Sequence, residues 1–130
     1  MAFQHGKNAH ISIDATDVSA FTDNQSLARV IALAETTSFG NDDNTSIAGV
    51  RSHTISIGGG WDPTLDGVMV GADDGSTVAF VCNPEGNTSG DVTYTGNCLI
   101  ENYTWNAGTT DKVTWNASFT VTGAVSRSTV

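Results

Sequence analysis

Basic side chains are scarce in this 130-residue chain. Five Lys and Arg stand against fourteen Asp and Glu, for a formal net charge of −9. Adhesion to a phosphate backbone depends on Lys and Arg, so ordinary nucleic-acid binding is excluded as a function class. The charge bears on solubility and partners, and not on fold. No apolar run approaches the ~20 residues that span a bilayer, so no membrane partner is expected. The opening MAFQHGKNAH has no apolar h-region, so no signal peptide is expected. There are two Pro and no proline-rich linker. Cysteine is equally sparse: Cys82 and Cys98 are the only two. The polar segment Asn83 to Gly90 reads as a hairpin connection. A turn centred near Asn87 would set Cys82 near Val92 and Cys98 near Ser76. The thiols would then lie about six positions apart at ~3.3 Å each, too far for a disulfide. Two free, buried thiols in a reducing cytoplasm are expected.

What the chain does have is Gly, Thr, Ser, Asn and Asp, which favour strands and turns over helices. Its length predicts one domain, residues 1–130, able to bury its own core. Phe3 to Asp14 alternates in part, with Ala9, Ile11 and Ile13 on one face. Ser26 to Thr37 fits an amphipathic helix as well as a bent strand. Arg51 to Gly58, Thr77 to Cys82, Asp91 to Trp105 and Lys112 to Val125 read as strands. The last has the strongest two-residue period, Val113, Trp115, Ala117, Phe119 and Val121 against Thr114, Asn116, Ser118 and Thr120. One short helix is predicted after Asp62-Pro63, with Asp62 as N-cap, Pro63 at the first helical position and Gly75 as the stop. Ser126 to Val130 reads as a flexible tail. The expected fold is mainly β: an antiparallel sandwich or partly closed barrel with one short helix packed on it.

The chain shows no placed chemistry. His5, His10 and His53 are scattered, with no nucleophile elbow or positioned base, so surface or interface positions are expected for them. Asp42-Asp43-Asn44 resembles part of a calcium loop but lacks the alternate ligands, the central Gly and the distal Glu, so a solvated tip is expected. Gly58-Gly59-Gly60 lacks the Lys of a phosphate loop. Asn-x-Ser/Thr triplets such as Asn87-Thr88-Ser89 and Asn116-Ala117-Ser118 have no secretory context. Of the three Trp, Trp115 is in phase with the core, Trp61 flanks the helix start, and Trp105 is left open between interface and ligand contact. No cofactor, metal or catalytic residue is assigned, and the chain is not read as an enzyme.

Two β-patterned segments between Glu35 and Asp62 flank a polar loop, Gly40 to Ser52. It opens on Asn41, Asp42, Asp43 and Asn44 and turns apolar at Ile47, Ala48, Gly49 and Val50. Loops of this length in small domains are commonly functional or disordered. Apolar residues beyond a mobile tip point to a segment that orders against a partner. The stretches ETTSFGND, IAGVRSHTISIGGGWD and FTVTGAVSR, with the opening FQHGKNAHISID and then DVSAF, resemble the major tail tube proteins of long-tailed, siphovirus-type bacteriophages. The likeness runs in order over almost the whole chain. It departs at Gly58 to Gly60, where a bulkier strand residue is expected.

The resemblance implies a virion protein that self-assembles into stacked, hexameric rings and conducts DNA on ejection. Its partners would be further copies of itself, tail tip and terminator proteins, and a length-setting scaffold, with assembly in the host cytoplasm. Loop 40–52 and both termini would be mobile in the free subunit. Candidate contacts between subunits are Phe39, Asp42, Asp43, Ile47, Val50 and Arg51. Candidate carboxylates facing the lumen are Asp14, Asp91, Glu101 and Asp111. The alternatives are another virion component, such as a tail terminator or head-decoration protein, and a monomeric β-sandwich binding module.

Overall fold

The computed structural model describes residues 6–40 and 42–130. Its strands are β1 (His10–Ile13), β2 (Thr16–Asp17), β3 (Asn24–Glu35), β4 (Ser46–Gly60), β5 (Val78–Asn83), β6 (Val92–Asn106) and β7 (Thr114–Thr129), with one helix, α1 (Pro63–Ala72). They form a single seven-stranded antiparallel sheet in the order β2-β1-β5-β6-β7-β4-β3. The fold is thus mainly β with one helix, in one open sheet and not two stacked ones. The sheet curls, so that β1 and the start of β3 face each other across a cleft of about 450 Å³ and do not pair.

A short 3-10 turn, Ser19–Phe21, ties the two sides of the curl together. The Ser19 hydroxyl accepts from the Ile11 N–H at 2.9 Å and donates to the Ile11 carbonyl at 3.2 Å. Two residues beyond the turn, the Asp23 N–H donates to the Gly58 carbonyl on β4. The Trp115 indole N–H donates to the Phe21 carbonyl at 2.9 Å. This crossing explains the departure at the triple glycine. A Cβ on Gly59 would stand 2.2 Å from the Phe21 carbonyl oxygen, and one on Gly58 2.9 Å from that of Trp115. No side chain fits at Gly58 or Gly59, whereas a Cβ on Gly60 would meet only the Lys112 ammonium at 3.9 Å.

The core follows the two-residue period. Ile11, Ile13, Ile55, Ile57, Phe80, Trp115, Ala117 and Phe119 all point inward and are buried. Helix α1 begins as its sequence predicts. Asp62 accepts from the Thr64 N–H at 2.8 Å, and Pro63 occupies the first turn. Leu65, Met69 and Ala72 lie fully buried on the core. Helix and sheet are also pinned by a polar chain. The Trp61 indole donates to the Tyr103 hydroxyl at 2.9 Å, which donates to the Asp66 carboxylate at 2.9 Å.

Five expectations need correction or choice. Residues 26–37, open between helix and strand, are strand β3 up to Glu35. The loop expected over 40–52 ends earlier: the β3–β4 connection is 36–45, and 46–52 already belong to β4. Thr45 closes it, accepting through its carbonyl from the Thr36 N–H and donating its own N–H to the Thr37 hydroxyl. Ser126 to Thr129 are no tail, because they pair with Thr95 back to Val92 on β6. Lastly, the β5–β6 turn centres one residue later than expected, so that Cys82 faces Tyr94 and Cys98 faces Val78. The cysteines are then four positions apart, about 13 Å along the strand. Both are free and buried. The strand expected from Phe3 starts at His10, and Phe3 lies outside the described residues.

Candidate functional site

Beyond Thr54, β4 leaves β7 while continuing to pair with β3. The outer part of the β3–β4 hairpin is therefore a two-stranded arm, about 25 Å long at strand spacing. An isolated two-stranded ribbon has no core face, and nearly every arm residue is exposed. Even so, several of its side chains are large and apolar. Val30, Ile31 and Leu33 stand on β3, Ile47 and Val50 on β4, and Phe39 in the connection. Leu33 is 70% exposed, Val50 83% and Phe39 fully exposed. So many exposed large apolar side chains on one hairpin make the arm a candidate interaction site. Burying each such side chain is worth roughly 1.5–3 kcal/mol.

All six sequence-predicted contact residues fall on this arm. Phe39, Asp42 and Asp43 lie in the connection, and Ile47, Val50 and Arg51 on β4, with Arg51 opposite Ile31. Sequence reasoning missed Val30, Ile31 and Leu33. Their signal was present, as apolar residues in a segment whose period fits neither template cleanly.

A second surface lies on the body. The face of β3, β4, β7 and β6 turned away from the core is built in lateral rows fixed by register. One row runs Ser26, Ser56, Ser118, Asn102. The next runs Asn24, Gly58, Asn116, Thr104, and a third runs Ala28, Thr54, Thr120, Leu99. Hydroxyls and amides therefore cover the middle of the sheet.

The four candidate lumen carboxylates do not share one face. Glu101 sits at the β6 irregularity between Ile100 and Asn102 and accepts from the Thr120 hydroxyl, which puts it on the polar face. Asp14 occupies the β1–β2 turn with φ 54°, beside Ala15 at φ 63°. Asp is enriched at such left-handed positions, so the turn alone accounts for it. Asp91 closes the β5–β6 connection, accepting from the Thr88 N–H at 3.1 Å. Asp111 is exposed in the β6–β7 connection.

The scattered histidines stay apart. His10 on β1 pairs with Asp17 at 3.2 Å. His53, on β4, is buried inside and not at a surface, and its Nδ1 has no partner among the described residues. His5 lies outside the described residues. Among the described residues no three His, Cys, Asp or Glu side chains gather where they could hold a metal ion. Trp105 is 56% exposed at the end of β6.

Solved structures share this architecture along the full chain. A component of the virion of a native gene transfer agent particle superposes with a TM-score of 0.81 at 19% identity, covering 97% of this chain and 99% of that one. A chain from the tail of an empty gene transfer agent particle with C6 symmetry gives 0.80 at 17%, with the same coverage. This chain has the tail-tube fold. The SPP1 tail tube agrees, with a TM-score of 0.77 at 9% identity, over 98% of this chain and 80% of that one. No family model and no curated protein matches the sequence. At these identities the tail-tube fold has been kept while most side chains changed, so what this chain does must be argued from its own surfaces.

Proposed function

We propose that the protein is the structural subunit of a phage tail tube. Copies close into rings, the rings stack, and the tube conducts DNA during ejection. The observation that carries this reading is the apolar arm projecting from a tail-tube fold. An arm that exposes Leu33, Phe39, Ile47 and Val50 is costly for a permanent monomer and suits contact between copies. The C6 symmetry of the similar gene transfer agent tail supports a six-membered ring. The work is structural, and no bond is made or broken. Tail tip and terminator proteins would occupy the tube ends, and a scaffold would set the length. The subunit would assemble in the bacterial cytoplasm and reside in the virion tail. Mobility of the 36–45 connection before assembly belongs to the same proposal. Ordering it on stacking costs roughly 1–2 kcal/mol of backbone entropy per residue, so growth should require nucleation.

Negative-stain electron microscopy of the concentrated protein, with its light-scattering mass, tests the reading. Hollow tubes or rings of uniform diameter are expected. A monomer that persists even when tail tip protein is supplied as nucleator overturns it. Ile47→Asp and Val50→Asp should leave the folded monomer intact, because both side chains are already in solvent, and should abolish tube growth. Normal tubes from both variants would remove the arm from the stacking contact.

A further inference from the structure

A cleft and a helix stand at opposite margins of one layer of strands. A lateral row runs Gln25, Ile57, Ala117, Tyr103 across β3, β4, β7 and β6. At its β3 end, Gln25 lines the cleft beside β1 and also an adjoining cavity of about 270 Å³. At its β6 end, Tyr103 holds Asp66 of α1. Three strand spacings, about 14 Å, separate the two margins. Two copies set side by side in one orientation therefore bring the cleft of one to the helix of the next. A head-to-tail contact of this kind closes a ring when a rotation repeats it.

The two margins are complementary. The smaller cavity has Leu27, Cys82, Pro84 and Tyr94 in its wall, together with Arg29. Gln25 Oε1 is buried there with no hydrogen-bond partner among the described residues. Arg29 forms no ion pair among the described residues. Asp23, the one carboxylate lining the cleft, accepts from the Asn24 amide. On the other margin, Pro63, Gly67 and Val70 form the outward stripe of α1, and Val70 is 59% exposed. A Cβ on Gly67 or Gly71 would meet nothing within 4 Å. Glycine destabilises a helix interior, and nothing inside the subunit requires it at these positions. A neighbour that approaches the helix backbone closely does require it. Asp73 and Asp74 follow at the C-terminal end, where the helix dipole disfavours carboxylates. No Lys or Arg stands on α1 to offset them.

We infer that α1 seats in the cleft of the neighbouring copy, with Val70 against Leu27 and Tyr94, Gly67 and Gly71 at the closest approach, and Arg29 facing Asp73 and Asp74. The inference rests on the ring reading above and supplies its lateral contact, leaving the arm to stacking. The ion pairs fix direction and register. They do not cancel the net charge of −9 on each copy.

Charge reversal tests the pairing. Arg29→Glu should leave a folded monomer and abolish rings, as should Asp73→Arg with Asp74→Arg. The chain carrying all three reversals should assemble again, in at least tenfold greater yield than either parent. Gly67→Leu should keep or raise the urea midpoint of the monomer, because the new side chain enters open space, and should form no rings. Normal assembly of both Arg29→Glu and Gly67→Leu overturns the inference and leaves the tube reading standing. A second readout needs no rescue. In a Cys82→Ala, Cys98→Ala background, tubes grown from mixed Gln25→Cys and Val70→Cys subunits should give a disulfide-linked dimer on oxidation, and neither variant alone should. Absence of that dimer from intact mixed tubes overturns the inference. A dimer between Gln25→Cys and Val50→Cys subunits in its place would put the arm of the next copy in the cleft, with the same consequence. An unsubstituted protein that forms no tubes even with a nucleator would overturn the tube reading, and this contact with it.

Discussion

Single residues join the sheet to its helix and set its chemical inertness. Tyr103 both accepts from the Trp61 indole and donates to Asp66, so one hydroxyl fixes the entry and first turn of α1 against β6. Burial raises the Tyr103 pKa, and donation to Asp66 adds to the rise. Tyr103→Phe removes both bonds and should lower stability by about 1–2 kcal/mol, read as a shift in urea midpoint at unchanged m. An unchanged midpoint would show that the chain of bonds is incidental to packing. The thiols make a prediction of opposite character, at alkaline pH. Burial, with a smaller contribution from the charge of Cys98, pushes Cys82 up to about 12, and burial pushes Cys98 up to about 11. An unfolded thiol ionises near ~8.5. The folded chain therefore keeps protons that the unfolded chain releases, and stability falls as pH rises from about 8.5 towards the folded values. Urea midpoints measured across that window should drop, and a Cys82→Ala, Cys98→Ala double variant should drop less steeply. Parallel slopes would assign the alkaline loss to other groups.

Elements differ in how far they can be read from residues, because some are decided locally and others by distant partners. Helix α1 was legible from Asp62-Pro63 because a cap is a contact two residues long. Strand β7 was legible up to Val121 because one face meets the core and the other does not. The arm was not, since a ribbon exposed on both faces imposes no period on its side chains, and 26–37 could pass for a helix. The triple glycine was opaque for another reason: the chain that excludes a Cβ at Gly59 arrives from Phe21 to Asp23, far away in sequence. The C-terminal stretch failed in the same way. Ser126 to Thr129 are polar and unremarkable, and only their partners Val92 to Thr95 make them a strand. A chain stopped after Val125 should accordingly lose about 2–4 kcal/mol, the sum of a few ladder bonds at ~1 kcal/mol each, and uncover the buried Thr93. Retention of full stability in thermal unfolding would restore the flexible-tail expectation.

For the whole molecule, assembly sets two terms against each other. In the proposed tube, bringing copies together would bury apolar arm surface, which would favour growth and depend little on salt. It also concentrates like charge, since each copy carries −9. The few cations cannot offset this locally, with Arg29 and Arg51 on the arm and Lys112 at a strand end. Electrostatic repulsion between exposed charges decays over ~30 Å at 0.01 M ionic strength and ~8 Å at 0.15 M. At the lower value, charges across a whole subunit oppose docking, and at the higher value only near neighbours do. Nucleated tube growth, followed by light scattering, should therefore be slow or absent at about 0.01 M salt and speed up steeply towards about 0.15 M, with little further change once the screening length falls below the spacing of surface carboxylates. Growth that instead slows as salt is added would mean that attractive ion pairs, such as Arg51 to an acidic connection of the next copy, dominate the contact. The apolar arm would then guide the encounter and not supply its main energy. Within the proposed tube, the sign of the salt dependence would thus decide which of the arm's two kinds of residue, Leu33, Ile47 and Val50 or Asp42, Asp43 and Arg51, holds one copy to the next.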